Sequence, residues 1–448
     1  MNKDSSPTLT TVQFDPPCGP VRGYADGSVI RATGIPYAHA ERFAAPLPMP
    51  EWDEPFEATR ASTPCPQWPS AFLERMLGDA EGVAAPDEDC LQLSITMPAD
   101  VGVGDALPVM VWIHGGSYVW GAGDAPITDP RNLVTEQRVI VVSVTYRVGL
   151  FGFLGDGSSR PANLGLLDQH AAFRWVRRNI AAFGGEPTNV TAFGQSAGAD
   201  AIAHLMIASG RERLFERAIL QSPPLGLALN RRRMSAAMTL AAGTLGRDSS
   251  VQDILDAERR AAAAAARYGL KSAMPFGTQY GIAPLPAETE IDAAWFRVAP
   301  DIDVLIGNTA DESEFFAGEI PIVNRLRGLP LVGQRVTRRV SSAVTAAVYG
   351  RAIDRFARRH AQAGGRAFRY TLSWKVPGNP VGSGHTIDLP LLLGNRTSWA
   401  KAAIVAGADW DRVERDGARL RALWARFART GQLDSEGEIP DVIAWSRA

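Results

Sequence analysis

The sequence predicts an α/β fold with a large, mostly parallel central sheet and helices on both of its faces. Short, continuous apolar runs recur through the centre of the chain, and such runs are typical of strands that are buried on both faces. Helical patterns separate these runs, and this alternation indicates a doubly wound sheet. The predicted strands are Leu107–Ile113, Val139–Thr145, Asn189–Phe193, Arg217–Gln221 and Asp303–Gly307, with a further strand-like run at Arg366–Ser373.

The clearest helices lie on either side of one predicted strand. Leu166–Phe183 has a helical pattern and ends at two glycines, and Ala197–Ala208 ends near another glycine. The cap-like insertion, residues 231–295, begins with an alanine- and arginine-rich stretch that predicts helices added after the main sheet. Asp411–Thr430 carries apolar residues at helical spacing, which predicts a C-terminal helix that faces the core.

Residues 1–12 read as a flexible polar tail, and residues 13–448 as a single domain. The 448-residue chain has 46 lysines and arginines against 48 aspartates and glutamates, a net charge of −2. This balance argues against nucleic acid or an anionic membrane as the partner, because such partners require a basic patch. The N-terminus lacks an apolar signal segment, and no long apolar run follows, so a cytoplasmic protein without a membrane segment is predicted.

The three cysteines, Cys18, Cys65 and Cys90, predict reduced structural thiols. They are too few for a disulfide scaffold, and they lack the C-x-x-C spacing that is typical of metal sites. Neither a metal nor an organic cofactor is predicted.

A G-x-S-x-G motif, Gly194–Gly198, lies between a predicted strand and a predicted helix. In this context the motif makes a sharp turn that holds the hydroxyl of Ser196 above the sheet, at the N-terminus of the helix. Small neighbours are needed because the turn crowds the backbone. Ser196 is therefore a candidate nucleophile; the alternative is a glycine-rich turn with an idle serine.

A second glycine-rich loop, His114–Tyr118, follows the predicted strand Leu107–Ile113. Such a loop offers backbone N–H groups that are free to stabilise a developing oxyanion. Gly116, Ser117 and Ala197 are the candidate donors of this oxyanion hole. The alternative is a plain turn at the end of a strand.

A serine nucleophile requires a base, and His385 is the candidate base among the six histidines. It lies in a loop downstream of the last strand-like run, which gives the chain order serine, acid, histidine. The acid is expected after the strand Asp303–Gly307, where Asp311 and Glu312 are adjacent. Either carboxylate could hold the imidazole in the required tautomer, so the residues alone leave this choice open.

These motifs resemble the type-B carboxylesterases, the α/β-hydrolases that include the cholinesterases, and the resemblance covers most of the chain. Segments similar to the family's patterns occur in the N-terminal region and throughout the stretch ahead of the G-x-S-x-G motif. They are Gly34–Ala38, Arg42–Phe43, Glu88–Leu91, Tyr146–Arg147, Asn163–Gly165, Asp168–Gln169, Asn179–Ile180 and Phe183–Gly185. So many ordered matches are more specific than one short motif.

The resemblance implies an α/β-hydrolase fold and selects the acid. In the family a Thr-x-Asp-Glu stretch supplies the glutamate, which makes Glu312 the expected triad member and Asp311 a structural residue. The family's histidine precedes an acidic-Leu-Pro triplet, as His385 does here. Cys65 and Cys90 match the family's first disulfide pair, although a reducing cytoplasm would leave that bridge open.

The chain departs from the family pattern at three positions near the expected nucleophile. Ser117 replaces a glycine or alanine of the oxyanion stretch, Gln195 replaces a common glutamate, and Asp200 stands where small or apolar residues are usual. The neutral amide removes a charge that would favour a cationic alcohol. The candidate substrate-binding residues are Gln195, Tyr118, Trp120 and Phe151.

The expected function is a serine carboxylic-ester hydrolase for uncharged esters with short or medium acyl groups. Ser196 would form the acyl-enzyme, His385 would move the proton, and Glu312 would orient the imidazole. A small-molecule ester is the expected partner of a monomer or weak homodimer. Two alternatives stay open: a non-catalytic, cholinesterase-like interaction domain, and a triad hydrolase of carbamates, amides or lactones.

Overall fold

A thirteen-stranded mixed sheet forms the centre of the computed structural model, which describes residues 10–78, 82–208, 210, 212–319 and 333–448. Two of the fifteen strands, β4 and β5, form a separate small sheet. The strands are β1 Thr11–Phe14, β2 Val21–Asp26, β3 Val29–Pro36, β4 Ala38–His39, β5 Leu47–Pro48, β6 Phe56–Glu57, β7 Gln92–Pro98, β8 Leu107–Ile113, β9 Ile140–Val144, β10 Gly185–Gln195, β11 Arg217–Gln221, β12 Asp303–Thr309, β13 Ala367–Leu372, β14 Glu436–Ile439 and β15 Ile443–Arg447.

The main sheet runs in the order β1-β2-β3-β7-β9-β8-β10-β11-β12-β13-β15-β14, with β6 paired to β2 beside this path. Its six central strands, from β9 to β13 in that order, are parallel, and antiparallel pairs continue the sheet at both edges. The prediction of an α/β fold with a mostly parallel centre is confirmed. β8 and β11 have the predicted bounds, and the other predicted strands differ only at their ends.

Helices pack on both faces of the sheet, because alternate strand residues point to opposite sides. In β8, Val109 and Val111 belong to one buried cluster, and Met110 and Trp112 to the other. The helices are α1 Ala71–Leu77, α2 Arg131–Gln137, α3 Gly149–Gly152, α4 Leu164–Asn179, α5 Ala197–Ala208, α6 Arg232–Ala242, α7 Val251–Ala265, α8 Ile291–Val298, α9 Glu314–Ala317, α10 Gly333–Thr345, α11 Arg351–Gln362, α12 Leu389–Leu392 and α13 Trp410–Thr430.

The predicted N-terminal tail, residues 1–12, includes residues of the first strand. Residues 1–9 lie outside the described residues, but Thr11 and Val12 belong to β1 and pair with Tyr24 and Gly23 of β2. Their backbone groups are used in an antiparallel ladder, so this part of the predicted tail is a strand.

In the region of the predicted cap, α6 and α7 pack against each other, and α7 begins at a capping box formed by Ser250 with Asp253.

The described residues contain no helix that is both long and apolar enough to cross a membrane.

All three cysteines are buried free thiols. Cys65 and Cys90 are hydrogen-bonded neighbours, and this bond together with burial raises the pKa of Cys90 well above its ordinary range. The pair that the family resemblance suggested is therefore adjacent and unbridged.

Candidate active site

Ser196 lies in a sharp turn between β10 and α5. Its backbone is left-handed, with a φ of 57°, and its N–H donates to the carbonyl of Gln221 at 2.8 Å. The end of β8 passes close to this turn: a Cβ on Gly194 or Gly198 would lie 2.6 or 2.1 Å from the carbonyl oxygen of Ile113. Both glycines of the motif are therefore required by the close approach of two backbones. The turn leaves Ser196 half-buried at the N-terminus of α5.

The glycine-rich loop after β8 faces this turn. A Cβ on Gly115 would lie 3.2 Å from the Cβ of Ser196. In the described part of the chain, the carbonyl of Gly116 accepts from two later residues of the loop, whereas the N–H groups of Gly116 and Ser117 have no protein acceptor. Ala197 is the first residue of α5, so its N–H has no acceptor within the helix. The N–H groups of Gly116 and Ser117, in the loop that faces the turn, and of Ala197, at the start of α5, are thus not used in these backbone hydrogen bonds.

His385 and Glu312 form a buried pair on the other side of the site. Nδ1 of His385 donates to the carboxylate of Glu312, and the two side chains are 4% and 0% exposed. The second carboxylate oxygen of Glu312 accepts from the N–H of Thr309, the last residue of β12, at 2.7 Å. Because Nδ1 carries the proton in this arrangement, Nε2 of the imidazole is a proton acceptor.

Asp311 contacts the histidine loop through its backbone instead. Its N–H donates to the carbonyl of Ser383 at 2.8 Å, and its Oδ2 accepts from the N–H of Ser383 at 3.1 Å. These two bonds fix the loop two residues before His385. The structure therefore brings Glu312, and not Asp311, to the imidazole.

Ser196 and His385 line the same cavity, although no hydrogen bond joins them in the described part of the chain. Nε2 of His385 instead lies 3.1 Å from Nε2 of Gln195, which is buried beside it. Since the imidazole nitrogen is the acceptor, the amide N–H of Gln195 is the donor. Catalytic hydrogen bonds are often long in ligand-free enzymes and tighten when a substrate binds.

The cavity at Ser196 is small and mostly apolar, with a volume of about 70 Å³. Gln195 and Trp120, two of the candidate substrate-binding residues, lie in its wall. The apolar part of the wall includes Leu73 and Leu77 of α1 and Phe315 and Phe316 of α9.

Tyr118 and Phe151, the other two candidates, do not line this cavity, which corrects the sequence analysis. Tyr118 is fully buried, and its hydroxyl donates to Asp200 at 2.6 Å. Phe151 is 2% exposed and stacks on Phe43 with ring centroids 6.4 Å apart. Both rings are buried in the interior, and neither belongs to the wall of the cavity at Ser196.

The wall residues that the sequence did not identify include Leu73, Leu77, Phe315 and Phe316. The rings of Phe315 and Phe316 lie 5.9 and 5.4 Å from the His385 ring, between centroids. Their position three and four residues after the predicted acid is a signal that could have identified them. Leu73 and Leu77 carry no such signal, because α1 is far from the other site residues along the chain.

Burial sets the protonation of two further groups near the site. Burial lowers the pKa of His114 to about 4, so this ring, which stacks on Tyr146, is neutral near pH 7. Burial also raises the pKa of Asp388 to about 6, and its Oδ2 accepts from the side-chain amide of Gln221 at 2.6 Å. Among the described residues, no group of three or more histidines, cysteines or acidic residues is placed to hold a metal ion.

Comparison with known proteins identifies the family. Residues 6–326 match the model of the carboxylesterase family. The chain is 37% identical to a Rhodococcus erythropolis protein described as a probable N-octanoylanthranilate hydrolase, over 93% of this chain and 92% of that one. It is 33% identical to the para-nitrobenzyl esterase of Bacillus subtilis, over 96% and 91%. The solved structure of a thermophilic pNB esterase superposes with a TM-score of 0.78 at 30% identity, over 94% and 92%.

These matches span more than half of the chain for the family model and most of it for the relatives. The chain belongs to the carboxylesterase family, has the α/β-hydrolase fold, and is a carboxylic-ester hydrolase.

Proposed function

We propose that Ser196, His385 and Glu312 form the catalytic triad of this esterase. The hydroxyl of Ser196 attacks the ester carbonyl while Nε2 of His385 takes its proton. His385 then gives that proton to the departing alcohol, and water repeats the sequence to release the acid. Glu312 holds Nδ1–H of the imidazole and stabilises the imidazolium that forms at each step.

The N–H groups of Gly116, Ser117 and Ala197 are the proposed donors to the tetrahedral oxyanion. Preorganised donors of this kind supply much of the rate acceleration in acyl transfer. The observation that carries the proposal is the convergence of three groups of residues on one cavity: the half-buried serine, the buried histidine–glutamate pair and the loop with unpaired N–H groups.

The wall of the cavity favours uncharged esters with short or medium acyl groups. Its volume of about 70 Å³ is below the several hundred Å³ usual for sites that enclose larger ligands. Its aromatic and aliphatic wall suits an acyl chain, and Gln195 provides no negative charge for a cationic alcohol. We further propose a cytoplasmic enzyme, a monomer or weak homodimer, that acts on small-molecule esters.

A panel of p-nitrophenyl esters with acyl chains from C2 to C12 tests this function. We expect kcat/KM to be highest for a short or medium chain, and Ser196→Ala to remove turnover across the panel. A rate that is independent of chain length would contradict the proposed acyl site. Absence of turnover by the wild-type protein on every member would contradict the triad and would favour a non-catalytic interaction domain.

An amide is a second candidate substrate, because one relative is described as a hydrolase of an N-octanoyl compound. The same triad would serve, with His385 giving its proton to the departing amine. Matched measurements with N-octanoylanthranilate and p-nitrophenyl octanoate separate the two candidates. A higher kcat/KM for the amide, despite its poorer leaving group, would make amide hydrolysis the principal activity.

A further inference from the structure

The oxyanion loop has an unusual backbone. Three consecutive residues, Gly116, Ser117 and Tyr118, have positive φ values of 106°, 56° and 63°. Two of them carry side chains, for which this region is strained. Such a conformation persists only where the surrounding structure imposes it. The orientation of the loop, and of its N–H groups, therefore depends on contacts outside the loop.

The hydroxyl of Tyr118 makes one such contact. It donates to Oδ2 of Asp200 at 2.6 Å, and the two residues are 0% and 1% exposed. Burial and the negative charge of Asp200 raise the pKa of Tyr118 well above its ordinary range, so the hydroxyl keeps its proton. Asp200 lies in the first turn of α5, where its N–H donates to the carbonyl of Ser196 at 3.0 Å. The bond thus ties the loop of Ser117 to the helix of Ala197.

The carbonyl of Tyr118 makes a second contact. It accepts from the N–H of Gly149, the first residue of α3, at 2.6 Å. The N–H of the next residue, Leu150, donates to the buried carboxyl group of Glu258 on α7 at 3.0 Å. The side chain and the backbone of Tyr118 are thus held from two different directions.

Asp200 is also contacted from the next turn on the same face of α5, where Nδ1 of His204 lies 3.5 Å from its Oδ2. His204, one turn later, donates from Nδ1 to the backbone carbonyl of Asp200 at 2.6 Å, and its Nε2 accepts from the hydroxyl of Tyr280 at 2.8 Å. The four side chains Tyr118, Asp200, His204 and Tyr280 form a connected polar chain. None of them lines the cavity at Ser196, so the triad mechanism does not use them directly.

A buried carboxylate is a costly way to join two elements. A well-packed apolar pair of similar volume is often at least as stable. Oδ1 of Asp200 has no hydrogen-bond partner among the described residues. Arg231, the cation whose charge acts on Asp200, donates to backbone carbonyls, including that of Met274. The short, directed bond to Tyr118 is therefore the specific feature of this arrangement.

We propose that Asp200 is a positioning residue for the oxyanion hole: through the hydroxyl of Tyr118 it fixes the N–H of Ser117 relative to that of Ala197. This inference rests on the proposed function, in which these N–H groups bind the tetrahedral oxyanion. Donors stabilise a transition state only where they are held in advance at the position of the developing charge. Loosening the loop should therefore weaken the binding of tetrahedral species and leave ground-state binding unchanged.

Tyr118→Phe tests the proposal by removing one hydroxyl group. We expect kcat for p-nitrophenyl butyrate to fall about tenfold to a hundredfold, less than for outright deletion of a donor, with KM unchanged. The inhibition constant of a trifluoromethyl ketone should rise by the same factor. In that adduct, Ser196 Oγ bonds to the carbonyl carbon, the carbonyl oxygen becomes the oxyanion, and the serine proton passes to His385.

The corresponding methyl ketone, which binds as the unreacted ketone, should bind Tyr118→Phe as tightly as wild type. Equal weakening of both ketones, or an unchanged affinity for the trifluoromethyl ketone, would overturn the proposal. A failure of the triad mechanism looks different, since wild-type enzyme would then form no adduct with the trifluoromethyl ketone and release no p-nitrophenol.

Further variants separate positioning from charge and from stability. Asp200→Asn keeps an oxygen that accepts from Tyr118, so we expect kcat within about threefold of wild type, whereas Asp200→Ala should reproduce the loss of Tyr118→Phe. Tyr37→Phe is the matched control, because it removes a buried hydroxyl that donates to the carbonyl of Thr145 at 2.9 Å. A loss in Asp200→Asn or Tyr37→Phe as large as in Tyr118→Phe would contradict the proposal.

Discussion

The turn of Ser196 and the loop of the proposed oxyanion donors form a backbone-held half of the site, to which the hydroxyl of Tyr118 adds one side-chain support. His385 and Glu312 form the other half, in which a side-chain hydrogen bond joins the two residues. The serine turn depends on Gly194 and Gly198, which lie against the carbonyl of Ile113. The turn follows β10, which pairs in parallel with β8. The histidine–glutamate pair depends on one buried bond between residues 73 positions apart and on the N–H of Thr309.

This difference determines how each half responds to substitution. Substitution of the Ser196 side chain in the backbone-held half should change the chemistry and leave the geometry in place, whereas Tyr118 is the side chain whose loss should loosen the loop. Substitution of Glu312 in the side-chain-held half should release the imidazole, because the carboxylate of Glu312 is the acceptor for Nδ1–H of His385. The following predictions test that distinction.

The largest expected effect is that of Ser196→Ala. We expect kcat for p-nitrophenyl butyrate to fall about 10⁴-fold or more, because the nucleophile is lost while the oxyanion donors stay in place. Labelling by a fluorophosphonate probe should disappear, and the far-UV circular dichroism and thermal midpoint should match wild type. Persistent labelling would place the nucleophile at another residue.

Glu312→Gln tests the half that is held by side chains. The amide would place a donor against Nδ1–H or force the other tautomer, so we expect kcat to fall about 10²- to 10⁴-fold. Asp311→Asn is the control, because Asp311 bonds the backbone of Ser383 and does not contact the imidazole. We expect that variant to lose thermal stability and to keep most of its kcat once folded. The reverse pattern in folded proteins would assign the acid to Asp311.

The sequence predicted the backbone-held half more completely than the other. The G-x-S-x-G motif and the loop after β8 are contiguous signals whose glycines report close backbone contacts, and the strands on both sides of them have nearly the predicted bounds. The choice between Asp311 and Glu312 could not be made from the residues alone, because adjacent carboxylates differ only in where the chain directs them. It came from the family resemblance, and the contacts of His385 in the structure agree with it.

Side-chain directions were the least predictable feature. Tyr118 and Trp120 lie in the same loop, yet only Trp120 reaches the cavity, because the positive φ of Tyr118 turns its ring into the core. The buried partner of Asp200 could likewise not be predicted from the local sequence, since Tyr118 is 82 residues away. The local pattern of apolar and turn-forming residues predicts which positions are buried and where the chain turns. It carries little information on which side chains distant in sequence contact each other.

Glu258→Gln tests a support of the backbone-held half that comes from α7, one of the helices inserted between β11 and β12. Burial raises the pKa of Glu258 from 4.5 to about 7, so the folded protein favours the neutral acid. Its contribution to stability is complete below about pH 4.5 and decreases as pH rises to about 7, by about 3 kcal/mol at most. Glutamine keeps an oxygen that accepts from the N–H of Leu150, so the variant should be the more stable protein at pH 8 and similar at pH 4.5.

Thermal midpoints of wild type and Glu258→Gln, measured between pH 4.5 and pH 8, check this sign. Glu186→Gln provides a control in which stability changes with pH in the opposite direction, because hydrogen bonds from Thr188 lower the pKa of that exposed carboxyl group. The contribution of Glu186 is lost as pH falls, and its loss should be small. A Glu258→Gln protein that is less stable than wild type at pH 8 would show that the ionised carboxylate holds α3.

The smallest expected effect concerns Gln195, the residue that joins the two halves. It belongs to the end of β10, and its amide N–H donates to Nε2 of His385 at 3.1 Å. In Gln195→Glu the carboxylate would favour the protonated imidazole, so the acid limb of the kcat/KM profile should move to higher pH. The same negative charge would lie beside the cavity at Ser196 and would attract a quaternary ammonium group.

Butyrylcholine and n-butyl butyrate, compared above the acid limb, separate these two consequences of Gln195→Glu. Wild type should prefer the uncharged ester by about tenfold or more in kcat/KM, which corresponds to about 1.4 kcal/mol of missing attraction. The variant should recover about that factor for the choline ester, while its rate on n-butyl butyrate changes little at high pH. Equal rates of the wild type on both esters, or no gain for butyrylcholine in the variant, would show that charge at position 195 does not select the alcohol. A cation would then be bound by the aromatic rings of the cavity wall, which include Trp120 and Phe316.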